Sequence, residues 1–153
     1  MHTWKVCWTA LSLLSGFGAL AGCGGPPGAS ISETDQRTVE SLNVLATFYG
    51  DYMNQHGGRP PKNEGDFRAF MKSQSNSMER RGVEDLEQFL MSPRDYQPYT
   101  IVSGKLVKVS DSPGVFWAAH EQTGVDGNRM AVRTYGGVDL LGPDEFGREF
   151  SAN

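Results

Sequence analysis

At Pro98 the spacing of apolar residues changes from threes and fours to every second position, which limits the chain to a helical half followed by a sheet half. Upstream, Val39, Leu42, Leu45, Ala46, Tyr49, Tyr52 and Met53 fall on one face of a helix predicted from near Glu33 to His56. Ser32 is its N-cap with Asp35 three residues on, and Gly57-Gly58 and Pro60-Pro61 stop it. Its polar face lacks the Lys and Arg richness of a membrane-surface helix, so the apolar face is expected to pack into a core. Asn63-Glu64-Gly65-Asp66 starts a second helix with Phe67, Phe70 and Met71 inward. Residues 73–82 read as a polar loop, and Val83 to Met91 as a further short helix with Leu86, Phe89 and Leu90 inward.

Downstream, Tyr99 to Val102 and Leu106 to Val109 flank Ser103-Gly104-Lys105 and read as a hairpin. Val115 to His120 is a third strand, lying between Ser112-Pro113-Gly114 and the turn-rich residues 123–128. Met130 to Tyr135 and Val138 to Leu141 flank Gly136-Gly137, a two-residue turn that needs positive φ. Asp144 to Phe150 closes the chain as a short helix, with Phe146 and Phe150 one turn apart. Helices first and an antiparallel sheet second give an α+β class, with the N-terminal amphipathic helix packed across one sheet face.

The N-terminus carries Lys5, a mostly apolar run from Val6 to Leu20 without Asp or Glu, and then Leu20-Ala21-Gly22-Cys23. This order resembles the bacterial lipoprotein signal, and the run is short for a membrane-spanning helix of about 20 residues. The resemblance implies cleavage between Gly22 and Cys23 and acylation of the Cys23 thiol. Residues 1–22 are then a signal peptide, 23–31 the lipidated cysteine and a Gly/Pro tether, and 32–153 one domain. The implied location is the cell envelope, anchored to a membrane by lipid. Gly24, where Asp would favour the inner membrane, points to the outer one. Cys7 leaves with the signal and Cys23 is consumed, so thiol chemistry is excluded from the mature chain. A formal net charge of −4 without a basic patch argues against a nucleic-acid partner.

Few residues suggest chemistry. His120-Glu121 begins like a zinc-protease helix, but position 124 is Gly where the second His is needed, which leaves a strand-end histidine. His56 sits at a helix C-terminus, where the helix dipole favours an imidazolium. Asp126-Gly127-Asn128 has calcium-ligand residue types without the spacing of an EF-hand, so it reads as a turn. Asp126 and Asn128 are the candidate ligands should calcium bind. Ser92-Pro93-Arg94-Asp95 is a polar cluster between the last of the early helices and the first strand. Arg94 and Asp95 are expected to bond backbone at that junction rather than a substrate. Neither a serine triad nor a phosphate loop is legible, so no catalytic site and no cofactor is expected.

Four stretches together suggest a family: Ala46 to Pro61, Asn63 to Phe67, Ser92 to Asp95, and Gly124 to Gly127 leading to Tyr135-Gly136-Gly137-Val138. Their order resembles small exported bacterial proteins of the pilin-like, or type II secretion protein G-like, kind. That resemblance implies one N-terminal helix against a C-terminal antiparallel sheet, a secretion context and no enzymatic site. A pseudopilin keeps a long apolar N-terminal helix; here a lipobox and tether stand in its place, so filament assembly is not implied. The resulting expectation is a non-enzymatic, membrane-anchored envelope lipoprotein that contacts other envelope proteins through sheet edges or residues 73–82. The alternative is a small-ligand or calcium-binding module near residues 120–128.

Overall fold

The computed structural model describes residues 32–151; the lipobox, Cys23 and the tether lie outside them. Ser32 begins the first helix, α1 (Glu33–Gln55), by accepting the Asp35 amide on its Oγ at 3.0 Å. Gly58 N–H reaches back to the Met53 carbonyl at 2.8 Å, a closure that needs the left-handed φ of +65° at Gly57. Asn63 caps α2 (Glu64–Ser73) through the Asp66 amide. Tyr49, Tyr52, Phe67 and Phe70 then interleave between the two helices, with centroid separations of 5.3–6.3 Å across the α1–α2 boundary.

The expected loop over residues 73–82 is instead a short helix, α3 (Ser75–Arg80). The Gln74 side chain makes no capping bond to this helix, but the Gln74 carbonyl accepts the Ser77 and Met78 amides. Met78 packs on the core and the Arg81 guanidinium lies 5.4 Å from the centre of the Phe48 ring, so tertiary contacts hold a segment that is polar in sequence. The next helix, α4 (Leu86–Phe89), is shorter than the predicted Val83–Met91 span; Leu86 and Leu90 are buried and Phe89 only partly so.

Five strands follow: β1 (Thr100–Ile101), β2 (Val107–Lys108), β3 (Phe116–His120), β4 (Arg129–Arg133) and β5 (Val138–Leu141). All pairings are antiparallel, and β3 is central. The predicted β1–β2 hairpin is not formed. Both strands pair with the same edge of β3, Thr100 opposite His120 and Val107 opposite Trp117, and the chain between them loops away. Gly104 N–H bonds the Pro61 carbonyl at 2.7 Å, so that loop is drawn toward the α1–α2 connection rather than closing a turn. The β4–β5 turn does run through Gly136-Gly137, at φ of 90° and 89°.

The sheet is buried on both sides. On one face Ala118, Ala119, Met130 and Val132 meet Leu42, Leu45, Ala46 and Tyr49 of α1. Small residues permit this approach: a Cβ on Gly50 would lie 3.3 Å from the Thr134 carbonyl oxygen. On the other face Val107, Val109, Trp117, Ala131 and Leu141 meet Phe146 and Phe150 of the final helix, α5 (Pro143–Ser151). A register shift between Trp117 and Ala119 puts Ala118 and Ala119 on the same face.

Candidate functional site

The densest polar chemistry lies where α1 begins. Arg94 places one guanidinium nitrogen 2.6 Å from Glu121 and another 2.7 Å from Asp35, with the arginine side chain 9% exposed and Glu121 at 0%. Glu121 has no unspent oxygen. Oε1 accepts the Ser92 hydroxyl at 2.8 Å, and Oε2 accepts both Arg94 and the Met130 amide at 2.8 Å. Ser92 Oγ in turn accepts the Arg94 amide at 3.1 Å. Breaking such a buried pair costs about 3–5 kcal/mol, because the surviving charge stays in a low-dielectric interior.

Ser92, Arg94 and Asp95 thus act in two directions. Asp95 bonds backbone: Oδ1 takes the Gln97 amide, and Oδ2 takes the Thr123 and Gly124 amides at 3.0 and 2.7 Å. Arg94 differs from expectation, since its guanidinium goes to two carboxylates, because Glu121 and Asp35 arrive from β3 and α1 at the same place. The loop carrying these residues is closed by Ser92 N–H to the Gln97 carbonyl, and it holds Tyr96 at φ +54° with 77% of its surface exposed. A non-glycine residue in that region carries strain and needs surroundings that hold it. Gly124 must be glycine: at φ +75° a Cβ would sit 2.2 Å from the Asn128 carbonyl oxygen.

Tyr99 adds a phenol to the cluster. It is 2% exposed, has no hydrogen-bond partner among the described residues, and lies by Ser92, Thr38 and Glu121. Burial pushes its pKa far above the usual phenol range; the nearby Ser92 and Thr38 hydroxyls oppose that shift and the Glu121 charge adds to it.

Asp126 and Asn128 form a tight turn. Val125 and Asn128 exchange both backbone bonds at 2.9–3.0 Å, and φ is positive at Asp126 (51°) and Gly127 (78°), the two-residue hairpin geometry that Asp-Gly favours. Among the described residues no three His, Cys, Asp or Glu side chains are grouped to hold a metal ion. His120 packs against Phe146 and Phe150 at 4.8 and 4.5 Å, with Nδ1 2.7 Å from the Glu121 carbonyl. Burial lowers its pKa; the Glu121 carbonyl opposes that shift and Arg129 adds to it. His56 stacks on Tyr52 at 3.9 Å, so its place at the helix end is also a packing one.

A second buried carboxylate was not anticipated. Glu149, on α5, is 8% exposed and its Oε2 accepts Trp117 Nε1–H at 2.9 Å and the Ser110 amide at 3.1 Å. Burial alone would raise its pKa, but the donors at Ser110 and Trp117, with the Arg148 charge, bring it below the usual carboxyl value. The signal was present in sequence: Phe146, Glu149 and Phe150 share one helix face. No family model, characterised protein or solved structure matches this chain.

Proposed function

We propose that this chain is a lipid-anchored, non-enzymatic protein of the bacterial cell envelope, whose pilin-like α+β domain acts by contact with another envelope protein. The anchor rests on Leu20-Ala21-Gly22-Cys23, with residues 1–22 as signal and 23–31 as tether. Nine tether residues reach at most about 30 Å at full extension, so the domain works close to the membrane. The pilin-like assignment is supported by element order: one long N-terminal helix, then an antiparallel sheet packed against it.

The observation that carries the contact reading is Tyr96. A strained, exposed aromatic stands on a loop fastened underneath by Asp95 to the Thr123 and Gly124 amides and by Arg94 to Glu121. Exposed Met91 flanks the same loop, and exposed Val125 adjoins the Gly124 backbone that Asp95 holds. Rigid aromatic anchors dominate binding energy at protein contacts, because little conformational entropy is lost on docking. The Ser92, Arg94 and Asp95 groups serve this reading as the loop's foundation.

The test is a photo-crosslinking side chain at position 96 in cells carrying the full chain. The expected result is a discrete adduct with one envelope protein that disappears when the same group is moved to Lys72 on α2. Adducts that are absent, or equal at the two positions, contradict the proposal.

A further inference from the structure

We propose that the polar cavity beneath α5 binds a short aliphatic diamine. This site is separate from the Tyr96 loop and does not rest on the lipid anchor. The cavity lies between α5, β5 and the connection that joins β2 to β3. Its volume is about 280 Å³, near the small end of ligand sites.

Glu149 is the observation that points to a ligand. It is 8% exposed and lines the cavity. Its Oε2 takes the Trp117 indole and Ser110 amide donors, while Oε1 accepts no hydrogen bond among the described residues. The side-chain atoms that are both sealed from solvent and unpaired there are the Tyr99 and Thr134 hydroxyls. Glu149 Oε1 is not one of them, so it is reached from the cavity. Donors at Ser110 and Trp117 keep the carboxyl ionised at neutral pH. A carboxylate this deeply placed is ordinarily paired with a cation, as Glu121 is with Arg94. Glu149 has no such partner within bonding distance among the described residues.

The rest of the lining decides the ligand class. Asp111, Asp139 and Glu145 join Glu149, against the guanidiniums of Arg133 and Arg148. Arg133 is spent on Asp139 at 2.7 Å, which leaves three carboxylates and one guanidinium, so the cavity favours a cation over an anion. A metal ion does not fit, because no three acidic or imidazole groups among the described residues are gathered as ligands. An ammonium needs only one carboxylate oxygen, and the open Oε1 supplies it. Glu145 and Glu149 stand four residues apart on α5, so their side chains share a face about 6 Å apart. A chain of four methylenes carries its two ammonium groups at a matching separation. Val109, Leu140 and Leu141 in the same lining give that chain apolar surface to lie on.

The experiment is calorimetric titration of the full chain, in a non-ionic detergent at near-physiological salt, with putrescine, butanediol and magnesium ion. Saturable binding of putrescine alone is expected. The indole N–H resonance of Trp117 should shift along the same isotherm, because that group donates to Glu149. Glu149→Gln should weaken the binding about tenfold, since a charge-assisted bond is lost. Glu145→Gln should weaken it about threefold; its amide oxygen still accepts the Gly142 amide, so this variant reads affinity even if Glu149→Gln is unstable. Arg148→Ala should tighten binding about twofold, because a like charge leaves the cavity. An anionic or zwitterionic ligand would give the opposite sign for that variant. The proposal is overturned by no saturable putrescine binding or by a saturable response to butanediol or magnesium. It is equally overturned by full binding in either glutamine variant, or by weaker binding in Arg148→Ala.

Discussion

The sheet buries one carboxylate on each face, and the two are compensated differently. Glu121, fully buried beside the start of α1, has a guanidinium, a hydroxyl and a backbone amide. Glu149, on the α5 side, is held by an indole N–H and a backbone amide, with no ion pair within bonding distance among the described residues. The first arrangement joins three remote segments: α1 through Asp35, the 92–97 loop through Arg94, and the end of β3 through Glu121. The second fastens only α5 to the β2–β3 region. An ion network is expensive to break, and it stands at the first turn of α1. The neutral-donor site is cheaper to lose and secures the terminal helix.

The largest effect separating the two sites is expected for Arg94→Ala. It should destabilise the domain by about 3–5 kcal/mol in denaturant unfolding, since Glu121 is left buried without its cation. Replacing both partners, Arg94→Met with Glu121→Leu, should recover most of that loss, because the desolvation cost goes with the pair. A double variant as unstable as the single one would mean that the wider bond network, and not the charge pair, dominates.

Glu149→Gln should cost less, about 1–2 kcal/mol near neutral pH, because two hydrogen bonds are weakened and no partner charge is stranded. Its pH signature is specific. The folded-state pKa lies below the ordinary 4.5, so the carboxylate's contribution is present above that value and is lost as pH falls through the folded value. The gap between the melting temperatures of wild type and Glu149→Gln should therefore hold near neutral pH and shrink as pH falls below 4.5. Parallel curves would contradict this assignment.

The smallest effect is expected for Arg37→Ala. Its pair with Glu33 is exposed at 66% and 79%, and removing it should change stability by less than about 0.5 kcal/mol. Arg37 and Arg94 both reach acidic residues in the first turn of α1, so this variant isolates burial as the variable.

Local signals in the sequence carried much of this fold. Ser32, Asn63 and Gly57 announce helix ends because caps act within a few residues, and Gly136-Gly137 announces a turn because other residues resist its φ values. Partner choice was not legible. Two apolar segments around Ser103-Gly104-Lys105 suit a hairpin equally well, and only the competing edge of β3 decides the pairing. Glu121 was hidden by the bulge at Ala118, which shifts alternation by one, so parity counted from Trp117 puts residue 121 on the wrong face. Of the polar site, Ser92, Arg94 and Asp95 could be seen as a cluster, but their carboxylate partners come from positions 35 and 121 and share no local pattern with them.

The proposed envelope role depends most directly on how the chain is attached ahead of Ser32. The intact mass of the mature protein, extracted from cell membranes, tests this. The predicted result is a chain beginning at Cys23 and carrying acyl groups on that residue. A mature chain that retains residues 1–22, or that begins at an unmodified Cys23 in the soluble fraction, would contradict it.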